Sequence, residues 1–255
     1  MRTMFAIFQK QLADVLKNPT VTMNFVLFPL LAFVMSTFMS PEDLESRFIM
    51  IAPIAAMAVA QLPMLAMAMY ISEDIETKSL RFLIMAGVKP IQYLLGISLF
   101  TFILSIIAMG SFALMLMGEL TGEHLLLFTG ISALGLLASL AIGAMLGIIS
   151  KNVQQGMTLG TVVSMALAFT PVIAMANPDI MRVTYFMFSQ QVANIFNYIA
   201  LNSELGSSAE AVESFYEAFG IEFSFTNSLL IIVANFVVFA ILFLVVYKKR
   251  GLRLE

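Results

Sequence analysis

The chain has 255 residues, of which 60% are hydrophobic and only 11% charged, and its net charge is −3. A soluble domain carries roughly 45–50% apolar residues, so this composition, with a mean hydropathy of +0.96, excludes an ordinary water-soluble globule. The absence of cysteine excludes disulfides and thiol ligation, and no basic surface points to nucleic acid.

The apolar excess gathers into stretches near bilayer-crossing length, about 17–25 residues. They cover residues 21–39, 49–71, 91–117, 125–149, 157–176 and 229–247, and none contains Asp, Glu, Lys, Arg or His. Unbroken runs rather than short alternating segments exclude a transmembrane β-barrel. The expected fold is an all-α membrane protein, one domain over residues 1–255. It has six transmembrane helices, an N-terminal interfacial helix, and outer re-entrant or interfacial helices before the last span.

Residues 1–19 place Phe5, Phe8, Leu12 and Val15/Leu16 at spacings of three and four, with Gln9, Lys10, Asp14 and Lys17 around them. That pattern predicts an amphipathic helix in the membrane interface, ended by Asn18-Pro19. With this segment before it and no small-x-small cleavage pattern after it, the first run reads as a span and not as a signal peptide.

Of the thirteen Lys and Arg residues, only Arg47 and Arg182 fall in outer segments when the N-terminus is placed in the cytoplasm. The bias follows the positive-inside rule and predicts a multi-pass cell-membrane protein with both termini cytoplasmic.

The second run is rich in small residues, Ala52, Ala55, Ala56 and Ala60, and holds Pro53, Pro63 and the polar Gln61. It leads into residues 72–90, SEDIETKSLRFLIMAGVKP, expected as the first cytoplasmic loop. Glu73, Asp74 and Glu76 precede Lys78 and Arg81, an order that complements a helix dipole, and Gly87 and Pro90 provide a stop. The segment predicts one short surface helix with Leu80, Leu83 and Ile84 on its apolar side. Packing on its own bundle and docking a cytoplasmic partner are both open from the residues alone.

In the fourth run Gly135, Ser139, Gly143 and Gly147 recur every four residues. Such a small-residue ridge lets another helix approach closely in lipid. Gly156 and Gly160 begin a shorter version in the fifth run. Residues 177–228 form a long outer segment. Its first half is interrupted by Ser189-Gln190-Gln191, Asn194 and Asn197, and its second carries Glu210, Glu213 and Glu217 against Val212, Phe215 and Phe219. Two short helices are expected there, capping a transport route or stabilising the bundle. Asn235 in the last run and Gln61 are the polar groups expected to face a pathway or to bond between helices.

No ionisable group lies within a span, as an ion-coupled carrier ordinarily requires. The chain has no GxxxxGK[ST] phosphate loop, HExxH metal pair or GxSxG nucleophile elbow. It is therefore expected not to be an enzyme, to hold no metal or cofactor, and to draw energy from another polypeptide.

The arrangement resembles the permease subunit of ABC-2 type transporters, the membrane component of type V ABC exporters. The residues that carry the likeness are Glu73-Asp74-Ile75-Glu76, Ser79-Leu80, Phe82-Leu83 and the turn Val88-Lys89-Pro90, followed by Tyr93-Leu94-Leu95-Gly96. Lys78 stands where glycine is frequent in that family. The resemblance implies that residues 73–81 belong to a coupling helix entering a groove on a separate ATPase. Leu80, Phe82 and Leu83 would supply apolar contact, and Glu73, Glu76, Lys78 and Arg81 would fix orientation. It further implies two copies of an ABC-type ATPase that bind ATP and Mg2+, a second permease, identical or related, and a route bordered by spans one, two and five. The cargo would be hydrophobic or amphipathic: a drug, a lipid-linked molecule or an antimicrobial peptide. The competing readings are an ion-coupled carrier and a non-transporting membrane scaffold or immunity subunit.

Overall fold

The computed structural model describes residues 19–38, 44–116, 122–176, 178–202 and 224–251, and residue 9. Among these the regular elements are helices: α1 (Pro19–Phe38), α2 (Leu44–Glu76), α3 (Ser79–Met85), α4 (Pro90–Leu116), α5 (Gly122–Ile149), α6 (Val153–Ala176), α7 (Pro178–Thr184), α8 (Phe188–Asn202) and α9 (Phe225–Gly251). Five stretches are long and apolar enough to cross a bilayer: Ile51–Glu76, Ile91–Met115, Gly122–Ile149, Val153–Ala174 and Phe225–Lys249. Helix α1 adds a further apolar stretch, Phe25–Val34. The protein is thus an all-α, multi-pass membrane protein with five to six apolar helices. Apart from residues 9 and 19, the interfacial helix expected over residues 1–19 lies outside the described residues, as does the acidic helix expected around 210–219.

Helix α2 is the hub. From Ile51 to Ser72 its side chains are buried or half-buried on every side, as befits a helix that is apolar all round. Helices α5 and α6 pack along its length, and α1, α4 and α8 complete the enclosure. The outer helices instead turn apolar faces outward, with Ile103, Ile107 and Leu114 on α4, and Val237, Val238 and Ile241 on α9. Those faces suit lipid, which is as apolar as they are.

Contact with the hub is at backbone range. A Cβ added at Gly143 would overlap the Met64 carbonyl oxygen and stand 2.8 Å from Met64 Cα. At Gly147 it would meet Ile71 Cβ at 2.8 Å and the Ala68 carbonyl oxygen at 3.0 Å, and at Gly156 it would overlap the Ser72 hydroxyl. The Ser139 hydroxyl, on the same α5 ridge, donates to the Ala60 carbonyl of α2 at 2.7 Å. That bond falls in the turn weakened by Pro63, which lacks an N–H and displaces the preceding turn. Pro29, Pro53, Pro63 and Pro171 all remain inside continuous helices.

Element ends depart from the apolar runs. Helix α2 continues past Ile71 to Glu76, so Glu73, Asp74 and Glu76 sit in its last turns and not in the loop helix. Helix α6 starts at Val153 and α9 runs through Lys248 and Lys249. Backbone hydrogen bonding propagates beyond the point where side chains cease to be apolar, so hydropathy marks the lipid-compatible part of a helix and not its ends.

Gly143→Ala should lower stability in detergent by about 1–3 kcal/mol, the usual range for forced overpacking. Gly130→Ala lies on the same helix, where a Cβ meets nothing, and should be neutral or stabilise by up to about 1 kcal/mol. Thermal denaturation of the two variants side by side checks both.

Candidate functional site

The end of the bundle that carries Lys78, Lys89, Lys151 and Lys248 is built around a break in the chain. At the close of α2 the Glu73 carbonyl accepts the Thr77 backbone N–H at 2.9 Å and its hydroxyl at 2.8 Å. The next residue, Lys78, adopts a left-handed conformation, φ 62° and ψ 10°. This is a conformation glycine accepts freely and a lysine does not, which gives a physical reason for glycine at that step. Helix α3 then starts at Ser79, so the single helix expected over residues 73–81 is two helices meeting at Thr77-Lys78. Helix α3 closes in a Schellman motif: Gly87, φ 77°, donates to the Ile84 carbonyl and Val88 to the Leu83 carbonyl, both at 3.0 Å. Lys89 N–H reaches the Gln92 side chain at 3.3 Å as α4 begins.

The seven selected residues divide by direction. Leu80 is buried, 3% exposed, and anchors α3 to the core, with Leu83 and Ile84 half-buried beside it. Arg81 is exposed, and Phe82 and Met85 project outward at 66% and 61% exposure. Lys78 and Glu76 are exposed, while Glu73 is half-buried. The Leu80 side chain is turned into the bundle, and Met85 stands beside Phe82 on the outward side. Its signal was present, because Met85 lies three residues after Phe82 on the same helical face.

Behind this surface sits a buried polar cluster. Asp74, 2% exposed, accepts a hydrogen bond from the Tyr93 hydroxyl of α4 at 2.9 Å. The Tyr93 ring packs against Tyr247 of α9 with centroids 5.7 Å apart. Glu76 Oε2 accepts the Val153 N–H at 2.6 Å, placing a carboxylate at the N-terminus of α6, where the helix dipole favours negative charge. Asn152 completes that cap through the Gln155 N–H at 2.8 Å, and Gln155 returns a bond to the Lys151 N–H at 2.9 Å.

At the opposite end, the first turn of α8 is polar and enclosed. Gln191 donates to the Tyr185 carbonyl and accepts from the Ser228 hydroxyl of α9 at 2.7 Å, and Gln190 donates to Asn194 at 2.9 Å. Asn235 donates to the Phe186 carbonyl at 3.1 Å and to the Ile231 carbonyl at 2.9 Å. Gln61 is half-buried on α2, and no hydrogen bond joins it to Asn235. The ridge residues Gly135, Ser139, Gly143 and Gly147 all meet α2, Gly135 through Val59. Among the described residues no three His, Asp or Glu side chains gather in a group that could hold a metal ion.

The family model for ABC-2 family transporter proteins matches residues 3–246. The chain belongs to the ABC-2 transporter family. No curated protein matches it significantly. In this membrane-embedded component of an ABC-2 transporter, the acidic run Glu73-Asp74-Ile75-Glu76 lies on the terminal turns of α2 and the Ser79-Leu80 step at the start of α3.

Two outcomes follow for this ABC-2 chain. Lys78→Gly should relieve the left-handed strain and raise stability in detergent by about 1 kcal/mol, whereas Lys78→Val should lower it. Gln191→Leu should cost about 2–3 kcal/mol, because it strips partners from Tyr185 and Ser228 in a buried site. Thermal melts of the purified protein read both.

Proposed function

We propose that the chain is the permease subunit of an ATP-driven exporter, coupling ATP hydrolysis by two copies of a separate ATPase to movement of a hydrophobic or amphipathic cargo. The observation that carries this reading is the outward face of α3. Arg81, Phe82 and Met85 project from a short helix held down by Leu80, which is the form of a docking key for a groove on a soluble partner. On this reading the basic end faces the cytoplasm, in keeping with the positive-inside rule. Helix α1 completes six spans, and ATP and Mg2+ belong to the partner.

A second permease, identical or related, would meet α6. Its Gln155, Thr158, Val162, Met165, Phe169 and Val172 are exposed at alternating spacings of three and four, the pattern of a helix-pairing seam. Helix α2 is enclosed by its own chain, so α6 and α1 are the faces left to border a route between permeases. Asn235 lies ten residues into α9, about 15 Å along it. Its bond to Phe186 supports reading α7 and α8 as a re-entrant hairpin that caps the outer half of the route. The twenty methionines suit an adaptable, uncharged cargo surface for a drug, lipid-linked molecule or peptide.

The docking face is tested by co-purification with an ABC-type ATPase that the permease retains. Phe82→Asp should reduce ATPase retention at least about tenfold, the effect of losing about 1.4 kcal/mol, with unchanged permease yield and melting temperature. Leu80→Asp should instead destabilise the permease itself. Normal retention by Phe82→Asp and Met85→Asp together would defeat the docking reading.

A further inference from the structure

We infer that Asp74 and Glu76 are positioning residues internal to the permease, gripping the end of α2 from two sides so that motion of α3 is delivered to α4, α9 and α6. This inference rests on the coupling reading above and departs from the assignment of Glu76 to the ATPase contact.

Helix α3 packs chiefly on α2, with Leu80 as its buried anchor. A push on Phe82 and Met85 therefore reaches the last turns of α2 through Leu80, besides the short Gly87–Lys89 link into α4. Asp74 and Glu76 stand two positions apart on that helix, about 200° around it, so they cannot share a face. One reaches Tyr93 of α4, and the other reaches the backbone N–H of Val153 at the start of α6. Asp74 is too deeply buried to touch a soluble partner. Its carboxylate is held by a hydroxyl donor, and charge-assisted bonds of this kind are the strong, directional ones.

The cluster reaches a third helix. Tyr247 of α9 packs on Tyr93, and on Phe243 one turn earlier in its own helix at 5.9 Å. Its hydroxyl is buried and makes no hydrogen bond among the described residues. A second tyrosine, contributed by a different span, therefore packs its ring on the one that bonds Asp74 and holds a buried hydroxyl without a partner among the described residues. On this inference Tyr247 takes over the carboxylate from Tyr93 when α4 and α9 shift past one another. A clasp with two alternative donors on two helices has two discrete arrangements, which is what a coupling element needs.

The chain lacks cysteine, so cysteines introduced at the exposed positions Leu114 on α4 and Leu230 on α9 are the only nitroxide-labelling sites on the permease. Pulsed electron resonance on the full permease–ATPase complex in lipid, with and without ATP, Mg2+ and vanadate, reads the distance between the two helices. In the otherwise unaltered permease the trapped state should show a shifted distance. Asp74→Asn and Tyr93→Phe should lower the population of that distance about fivefold or more, with ATPase retention kept. Tyr247→Phe is the sharper variant: it removes a hydroxyl that makes no bond in this arrangement, so the melting temperature should hold or rise, yet the shifted population should fall. Glu76→Gln should diminish the corresponding shift between labels at Leu114 and Ile173. Variants that reach the shifted distance as fully as the parent overturn the inference alone. Loss of retention in Asp74→Asn with an unchanged melting temperature would also overturn it, by making Asp74 a docking residue. A parent complex with no retention and no shift overturns the coupling reading and this inference with it.

Discussion

The structure depends on how closely two helices approach the backbone of α2. In lipid there is no water to expel from between spans, so helix association rests on dispersion contacts and on the few polar bonds a span can carry. Dispersion falls off steeply with separation, which makes close approach the main available source of cohesion. Gly143 and Gly147 of α5, and Gly156 of α6, bring their backbones against Met64, Ala68 and Ser72, and none of these approaches leaves room for a methyl group. The same geometry explains why α2 is alanine-rich: small side chains on the hub complete the approach from the other side.

That close packing constrains motion. A helix seated against a neighbour's backbone has little freedom to slide, but its ends extend past the glycine contacts and can be moved. At the basic end the terminal turns of α2 are held by directional bonds to α4 and α6. At the other end, α8 is tied to α9 through Gln191 and Ser228, and its preceding turn through Asn235. Directional bonds therefore cluster near the ends of the bundle, while apolar contact dominates its middle. The Ser139–Ala60 bond and the Asn235–Phe186 bond, ten residues into α9, are exceptions among the described residues, and the first sits where Pro63 has already disturbed the α2 ladder.

Much of the fold was legible in the residue pattern. Long uncharged runs force helices in a bilayer, because every backbone polar group must be satisfied within the segment. The period-four spacing of Gly135, Ser139, Gly143 and Gly147 marked a close contact, although the ridge alone did not name α2 as its neighbour. Helix ends were less legible. The boundary at Ile71 followed apolarity, while the true end near Thr77 is set by a left-handed Lys78, which no hydropathy pattern reveals. The apolar side of α3 was likewise predicted as Leu80, Leu83 and Ile84. Which apolar residues faced outward depended on where α3 began, and moving its start to Ser79 detached the acidic residues from it. The pairing of Asp74 with Tyr93 spans nineteen residues and a turn, so it lay beyond any local pattern.

The acidic run shows how one short stretch can serve two demands. A carboxylate within a bilayer is costly, and one at its edge is tolerated only with partners. Asp74 meets that condition through Tyr93, and Glu76 through the positive end of α6. Each bond lowers the cost of placing an anion beside apolar helices, and each also fixes the direction in which α2 leaves the membrane. A lysine or arginine at either position would face the wrong end of the α6 dipole and a hydroxyl donor already oriented toward an acceptor. The sign of the charge at this edge is therefore dictated from inside the bundle, by the helix terminus and hydroxyl that receive it. The basic residues that follow, Lys78 and Arg81, are free of that constraint and stand on the exposed side of the break.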